Sequence, residues 1–539
     1  MLERLVEYWL DSANERSFQG PFCQMLASQG HTIVHMTRHG EMEMGKDVIS
    51  VAPDGVICAY QLKTVAGPRI TLSDWRNGME SQLLDLVVQP VVHPSLPKGR
   101  LHRSYLATNR DIDEPVQHAI AGMNTTLRRK RVSRNGLHTV VRGEMLQMAR
   151  SLQTGLWPSE QKDTISLLSM FLSDGRGSLP LPKLADLIEG VLDLNSRSSR
   201  TTRSEKKRRL ASAALLSYVA LSNYTAAENY VREVQGLTVL LAYILAHAEK
   251  HQLCRADWES AYKVVTRSIY DRLMDLQKEL SQRSHLVEGE PWSDGVFIGA
   301  RATMCLGYMG ILGLWRQADG IEPDATDDHI RDFCDSYRKR LEYWGESATP
   351  FALALFWYLE NASGAITSDL LIRDLLHVLC TNNKPESRSP VPSAYYTYEE
   401  IIEHLPPLGG LPIHDAFAGR SQTATALLHL LVRRNLKQSA KQLWPDYTQI
   451  MHEEYIPKPT WGFYRWRCRA GGTNRMVHPV LTQQWDTLRG EALEERGRMV
   501  PRLLRSHPIL LLLVLCVYPH RLAAQVVRWL DSKLGKTWE

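Results

Sequence analysis

Asp47, Gln61 and Lys63 have the types and spacing for metal-assisted attack on phosphorus. Asp47 opens a short β-favouring run, and Gln61 and Lys63 close the next one. Asp54-Gly55 lies between them, a hairpin signal because both positions accept positive φ cheaply. A hairpin lays the two runs side by side. Gln61 and Lys63 are two residues apart, so they project from one face of their strand. A carboxylate is a hard oxygen ligand for Mg²⁺ or Mn²⁺. Water on such a cation has a lowered pKa and becomes a nucleophile. A lysine beside it positions or deprotonates that water and offsets charge building on a phosphate. Gln61 adds a carbonyl oxygen without adding charge, so metal affinity is expected to be weaker than with a second acid.

These side chains need a scaffold, and residues 1–152 supply one. Leu2, Leu5, Val6, Trp9, Leu10 and Ala13 recur at helical spacing. Phe18, Phe22, Met25 and Leu26 form a second stripe that stops at Gly30, and Pro21 is expected to interrupt it. Strands are expected at 31–35, 48–51, 56–63, 105–108 and 137–141. Helices are expected from Ser73 to about Val88 and over 114–124 and 144–152. The order α-β-β-β-α-β-α-β-α describes an α/β sandwich with a mixed sheet. Beyond about residue 160 the strand signals vanish. Helical patterns cover 163–173, 205–222, 225–250, 256–283, 297–318, 327–345, 350–361, 367–380, 413–436, 483–498 and 519–534. No fixed repeat is found. Residues 381–393 have linker composition, so three parts are expected: 1–155, 156–380 and 395–539.

The segment Gly45-Lys46-Asp47-Val48-Ile49 followed by Gln61-Leu62-Lys63 resembles the PD-(D/E)XK nuclease superfamily. Within it the pattern is most similar to the Mrr-like restriction endonuclease group, where glutamine often replaces the second acid. Leu106-Ala107-Thr108-Asn109 resembles the family's fourth strand, and 140–148 its closing strand and helix. The resemblance implies an α/β restriction-endonuclease-like N-terminal domain with a mixed central sheet, followed by a large all-α region. It further implies a Mg²⁺- or Mn²⁺-dependent endonuclease that hydrolyses phosphodiester bonds, most often in DNA. Asp47 and Gln61 would hold the metal and Lys63 would act on the water or the phosphate. The family usually places a glutamate in the first helix, about eleven residues before its closing glycine. Here that position is Gln19, and Glu15 lies one helical turn earlier on the same face. Either completes the site.

Basic runs are the candidates for holding a nucleic-acid backbone. Arg128, Arg129, Lys130, Arg131 and Arg134 lie within the nuclease-like region and are expected to bind substrate phosphates. A second run comprises Arg197, Arg200, Arg203, Lys206, Lys207, Arg208 and Arg209. Trp461, Phe463, Tyr464, Arg465, Trp466, Arg467 and Arg469 interleave rings with guanidinium groups, which stack bases or, more often, pack a core.

Composition narrows the remaining classes. The 539 residues are 44% hydrophobic and 23% charged, which excludes a disordered or collagen-like chain. A net charge of +5 identifies no partner. The eight cysteines form no C-x-x-C pair, so no zinc framework is expected, and buried thiols in a reducing compartment are. No secretory signal is read in residues 1–20. The longest apolar run, 509–518 between Pro508 and Pro519, falls short of the roughly 20 residues a bilayer needs and reads as a core helix. No P-loop is found, so no ATP site is expected. The expectation is a soluble cytoplasmic protein without a membrane segment. Its helical region would take a protein partner or activator, as in bacterial defence effectors that restrict foreign DNA. The competing expectation is a non-catalytic nucleic-acid-binding or scaffold protein with a degenerate nuclease fold.

Overall fold

The computed structural model describes the chain apart from residues 1, 37–45, 98–100, 154–160, 196–201, 283–294, 363–364, 388–389, 404–417, 467–472, 495–498 and 537–539. Gly45, Arg197, Arg200, Arg467 and Arg469 therefore lie outside the described residues, as do parts of the helices expected over 413–436 and 483–498. The chain divides into two compact units, Met1–Asp271 and Arg272–Glu539.

The first unit begins with helices α1 (Leu2–Ser12) and α2 (Glu15–Ser28). Strands β1 (Thr32–Met36), β2 (Val48–Val51) and β3 (Ile57–Lys63) follow. Gly30 at φ +92° ends the approach to β1, and Gly55 at φ +78° turns the β2–β3 hairpin, as expected of both. The two-residue β4 (Arg69–Ile70) precedes the single turn α3 (Leu72–Asp74), a π-helical turn at Trp75–Met79 and α4 (Glu80–Val88). Next come β5 (His102–Thr108), the short β6 (Asp111–Ile112), α5 (Glu114–Arg129), β7 (Leu137–Val140) and α6 (Arg142–Gln153). Five strands form a mixed sheet ordered β1-β2-β3-β5-β7. The β1–β2 and β2–β3 pairs are antiparallel, and β3–β5 and β5–β7 are parallel.

Each face of the sheet has its own cover. Ile49, Ile57, Ala59 and Leu106 pack with Trp75, Leu83 and Leu86, and with Val116 and Ile120 of α5. On the opposite face Phe22 of α2 meets Tyr60 edge-on at 5.3 Å, and Tyr60 stacks on Tyr105 at 4.8 Å. Pro21 does not interrupt α2: the helix is continuous, and residues Phe18 to Leu26 are buried all round. The reason is a second partner behind it. Helices α7 (Gln161–Phe171), α8 (Leu181–Leu192), α9 (Arg203–Ala226), α10 (Tyr230–Lys250) and α11 (Arg255–Gln282) follow. α9 packs on α2 closely enough that a Cβ at Gly20 would lie 2.8 Å from the Tyr218 ring.

The second unit is mainly helical. The helices Gly295–Ala318 and Thr349–Ala362 meet along Gly307, Gly310 and Gly313. A Cβ at Gly310 would sit 2.8 Å from the Ala354 carbonyl oxygen. Arg434 is buried with both its carboxylate partners, donating to Glu360 at 2.9 and 2.7 Å and to Asp531 at 2.5 Å. The apolar run is a buried helix, Pro508–Val517, as expected. Two expectations are corrected. The region is not all-α, because Arg420–Ser421, Met451–Ile456 and Thr473–Val477 form a three-stranded sheet. These strands are short and polar, so they carry little of the β-branched alternation that marks a strand. The helix expected over 327–345 ends at Tyr337. Within the stretch of linker composition, Asn383 and Val391 are buried, and Val391 N–H donates to Asn383 Oδ1 at 2.7 Å. No helix among the described residues is long and apolar enough to cross a membrane.

Burial also sets an acid limit for the first unit. Desolvation, with His251 as the next cause, holds the fully buried His247 down to about 3 from 6.5. Below about pH 6.5 the unfolded chain takes up a proton that the folded chain refuses. Stability is therefore full above that pH and is lost as pH falls toward 3. The loss is on the order of 2 kcal/mol at pH 5. A His247→Leu variant is expected to lose less melting temperature between neutral pH and pH 5 than wild type, read by circular dichroism. An unchanged pH slope would refute this account.

Candidate active site

The site forms where β3 outruns β2. Pairing between the two stops at Val48 opposite Tyr60, so the following amides of β3 on that edge lack a strand partner. Carboxylates take their place. Asp47 is pinned by its own N–H to the Tyr60 carbonyl at 2.9 Å, and its Oδ2 accepts the Leu62 N–H at 2.6 Å. Two residues on, Glu15 Oε1 accepts the Thr64 N–H at 3.0 Å and stands 4.0 Å from Lys63 Nζ. Asp47 and Glu15 thus bond to the backbone on either side of Lys63, where Gln61 also sits in the chain.

The structure gives Glu15 and Gln19 different partners. Glu15, the first residue of α2, brings a half-buried carboxylate to Lys63. Gln19 is buried one turn on, and its Nε2 donates to the Asp47 carbonyl at 3.1 Å. It therefore holds the backbone of Asp47, while Glu15 brings a carboxylate to Lys63. Gln61 is 4% exposed, and its Nε2 donates to Gln82 Oε1 of α4 at 3.1 Å. That bond fixes the amide, and Gln61 Oε1 is left buried without a hydrogen-bond donor. Thr64 Oγ1 is buried and unsatisfied in the same way. Next to Asp47, Lys46 is buried, and desolvation lowers its pKa against the opposing pull of Asp85.

Sequence reading missed the residues that hold Glu15 in place. Asn109, past the end of β5, donates to the carbonyls of Leu10 and Ala13 at 2.7 and 2.8 Å. Arg110 donates to the Asp11 carbonyl at 2.6 Å and to Val65 at 3.0 Å. Arg142, starting α6, grips the Asp11 carboxylate with two bonds of 2.6 and 2.9 Å. The corner between α1 and α2 is thereby tied to the ends of β5 and β7. Nothing in the spacing of Asn109, Arg142 or Gln82 marks these tertiary bonds.

The basic run is not brought to this site. β3, β5 and β7 run parallel, and Leu137 lies level with Ser104 and Ala59, four residues before Lys63. Arg128, Arg129, Lys130, Arg131 and Arg134 precede β7, so they lie at the other end of the sheet. The second run is largely paired within its own unit: Arg203 with Asp257 at 2.7 Å, Lys207 with Asp257 at 3.9 Å, and Arg209 with Glu205 at 3.0 Å. The aromatic segment of the second unit is mostly core. Phe463 and Tyr464 are buried, and the carbonyls of Gly462 and Arg465 accept from Arg521.

Asp47, Glu15 and Gln61 are oxygen donors of the type a hard divalent cation takes: two carboxylates and a neutral carbonyl oxygen with no hydrogen-bond donor of its own. Among the described residues no three of Asp, Glu, His and Cys cluster to hold a metal ion, and Gln61 contributes an amide oxygen rather than an acid. Gln82 then acts as a positioning residue for that amide. A Gln82→Leu variant is expected to bind Mn²⁺ about tenfold more weakly in a calorimetric titration, while Gln82→Glu, which keeps the acceptor, binds as wild type. Equal affinity in all three would remove Gln82 from this role. No family model, curated protein or solved structure was found to match the chain.

Proposed function

We propose that the N-terminal α/β region is a divalent-metal-dependent endonuclease of the PD-(D/E)XK, Mrr-like kind, hydrolysing phosphodiester bonds in DNA. The observation that carries this reading is Gln61 Oε1, a buried oxygen without a donor, two residues before Lys63 on the strand whose last amides bond to Asp47 and Glu15. The mixed sheet with helices on both faces supports it.

When bound, Mg²⁺ or Mn²⁺ supplies Lewis-acid charge that acidifies water and offsets the phosphate. Asp47, Gln61 and Glu15 would hold it. Lys63 orients the attacking water through its three N–H donors, and its charge opposes the charge that grows on the phosphoryl oxygens in the transition state. Glu15 keeps the Lys63 side chain at the strand end, and Gln19 keeps Asp47 in register. Rearrangement of either carboxylate costs a backbone hydrogen bond, so the ligands are pre-positioned. The helical remainder recognises an activator or partner, by analogy with bacterial defence effectors.

One observation favours a second reading. Asp47 and Glu15 each already commit an oxygen to a backbone amide at the end of β3 or just past it, as purely structural acids would in a non-catalytic nucleic-acid-binding protein. Plasmid incubated with Mg²⁺ or Mn²⁺ separates the two. Wild type is expected to nick or linearise it, EDTA to stop the reaction, and Asp47→Ala and Lys63→Ala each to lose roughly 100-fold or more in rate. Cleavage that survives both substitutions overturns the site. Salt-sensitive binding without cleavage establishes the second reading instead.

A further inference from the structure

Residues 115–143 contain no Asp or Glu, yet they carry Arg128, Arg129, Lys130, Arg131, Arg134 and Arg142. The contrast with their surroundings lies in pairing. Arg142 is locked to Asp11, Arg103 stands 3.3 Å from Asp54, and Arg150 stands 3.0 Å from Glu7. The five cations from Arg128 to Arg134 are all exposed, and none of their side chains has an ion pair or hydrogen bond to a described residue. A helix C-terminus favours cations, and that accounts for Arg128 and Arg129 in the last turn of α5. It does not account for Arg131 and Arg134, which lie past the helix in the turn where Arg131 takes φ 56°.

The location matters as much as the charge. α5 runs back from the site end of the sheet for 16 residues, roughly 24 Å, before the basic turn begins. That span equals about seven base pairs of duplex at ~3.4 Å each. From this geometry we infer that the turn at 128–134 is a separate docking surface for a nucleic-acid backbone, remote from Asp47. It contacts phosphates without reading bases and gives binding that is separable from cleavage. This inference rests on the nuclease reading only for the identity of the polyanion as substrate.

The test is performed on the full chain in EDTA, so that no cleavage is involved. A labelled duplex of about 30 base pairs is titrated over roughly 50 to 200 mM salt. Changing all five residues to Gln is expected to flatten the slope of log affinity against log salt by up to about 4.5, near 0.9 for each phosphate no longer neutralised. The matched variant with the four arginines changed to Lys keeps the slope, which separates missing charge from misfolding. A slope unchanged by the Gln variant overturns the inference, as does capture by anionic phosphatidylserine vesicles with no duplex binding. If the slope flattens but wild type cuts nothing with Mg²⁺ or Mn²⁺, the docking surface stands and the nuclease reading falls.

Discussion

A strand that runs on after its neighbour stops must find new acceptors for its amides. Buried N–H groups without partners cost about as much as a lost hydrogen bond each. At the end of β3 the acceptors are Asp47 for Leu62 and Glu15 for Thr64. One requirement of backbone chemistry thus draws two carboxylates to adjacent points beside Gln61 and Lys63. The acids are charged acceptors, which make the stronger class of hydrogen bond. The arrangement serves folding whatever else it does, and its electrostatic character follows from that service.

Glu15 can fill this role only because its helix is fixed from outside. The Asn109, Arg110 and Arg142 side chains reach from strand ends to the corner between α1 and α2. Asn14 caps α2 by accepting the Ser17 N–H at 2.8 Å, which settles where the helix starts. Behind α2, the glycine at position 20 lets α9 approach. Each device is weak alone, and together they leave the first residue of α2 a single position relative to β3.

Much of this is legible in the sequence, and the parts that are not share a cause. The hairpin at Asp54-Gly55, the helix stop at Gly30 and the same-face pair Gln61/Lys63 are local matters, governed by turn chemistry and strand period. Which of Glu15 and Gln19 reaches Lys63 is not local, since both lie on one helix face and only the placement of α2 against β3 separates them. Pro21 misleads for a related reason. A proline weakens a lone helix, but burial on every side outweighs one missing bond. The basic turn is visible as a segment and invisible as a location, because the length of α5 decides which end of the sheet receives it. The strands around Met451–Ile456 give no sequence signal because their residues are polar. Gln82 could not be singled out, being an exposed helical glutamine until the amide of Gln61 gives it a partner.

α2 belongs to two structures at once. One face closes the sheet, and the other fills a groove among the helices behind it, where Gln24 Nε2 reaches the Ala261 carbonyl at 3.3 Å. The α/β portion is therefore not a detachable cassette. A chain cut after Gln153 would turn the apolar back of this helix toward water and leave the corner bearing Glu15 held from one side only. Any exchange of the 161–271 bundle between proteins must carry α2 with it, so the inheritable unit is larger than the segment that bears the motif.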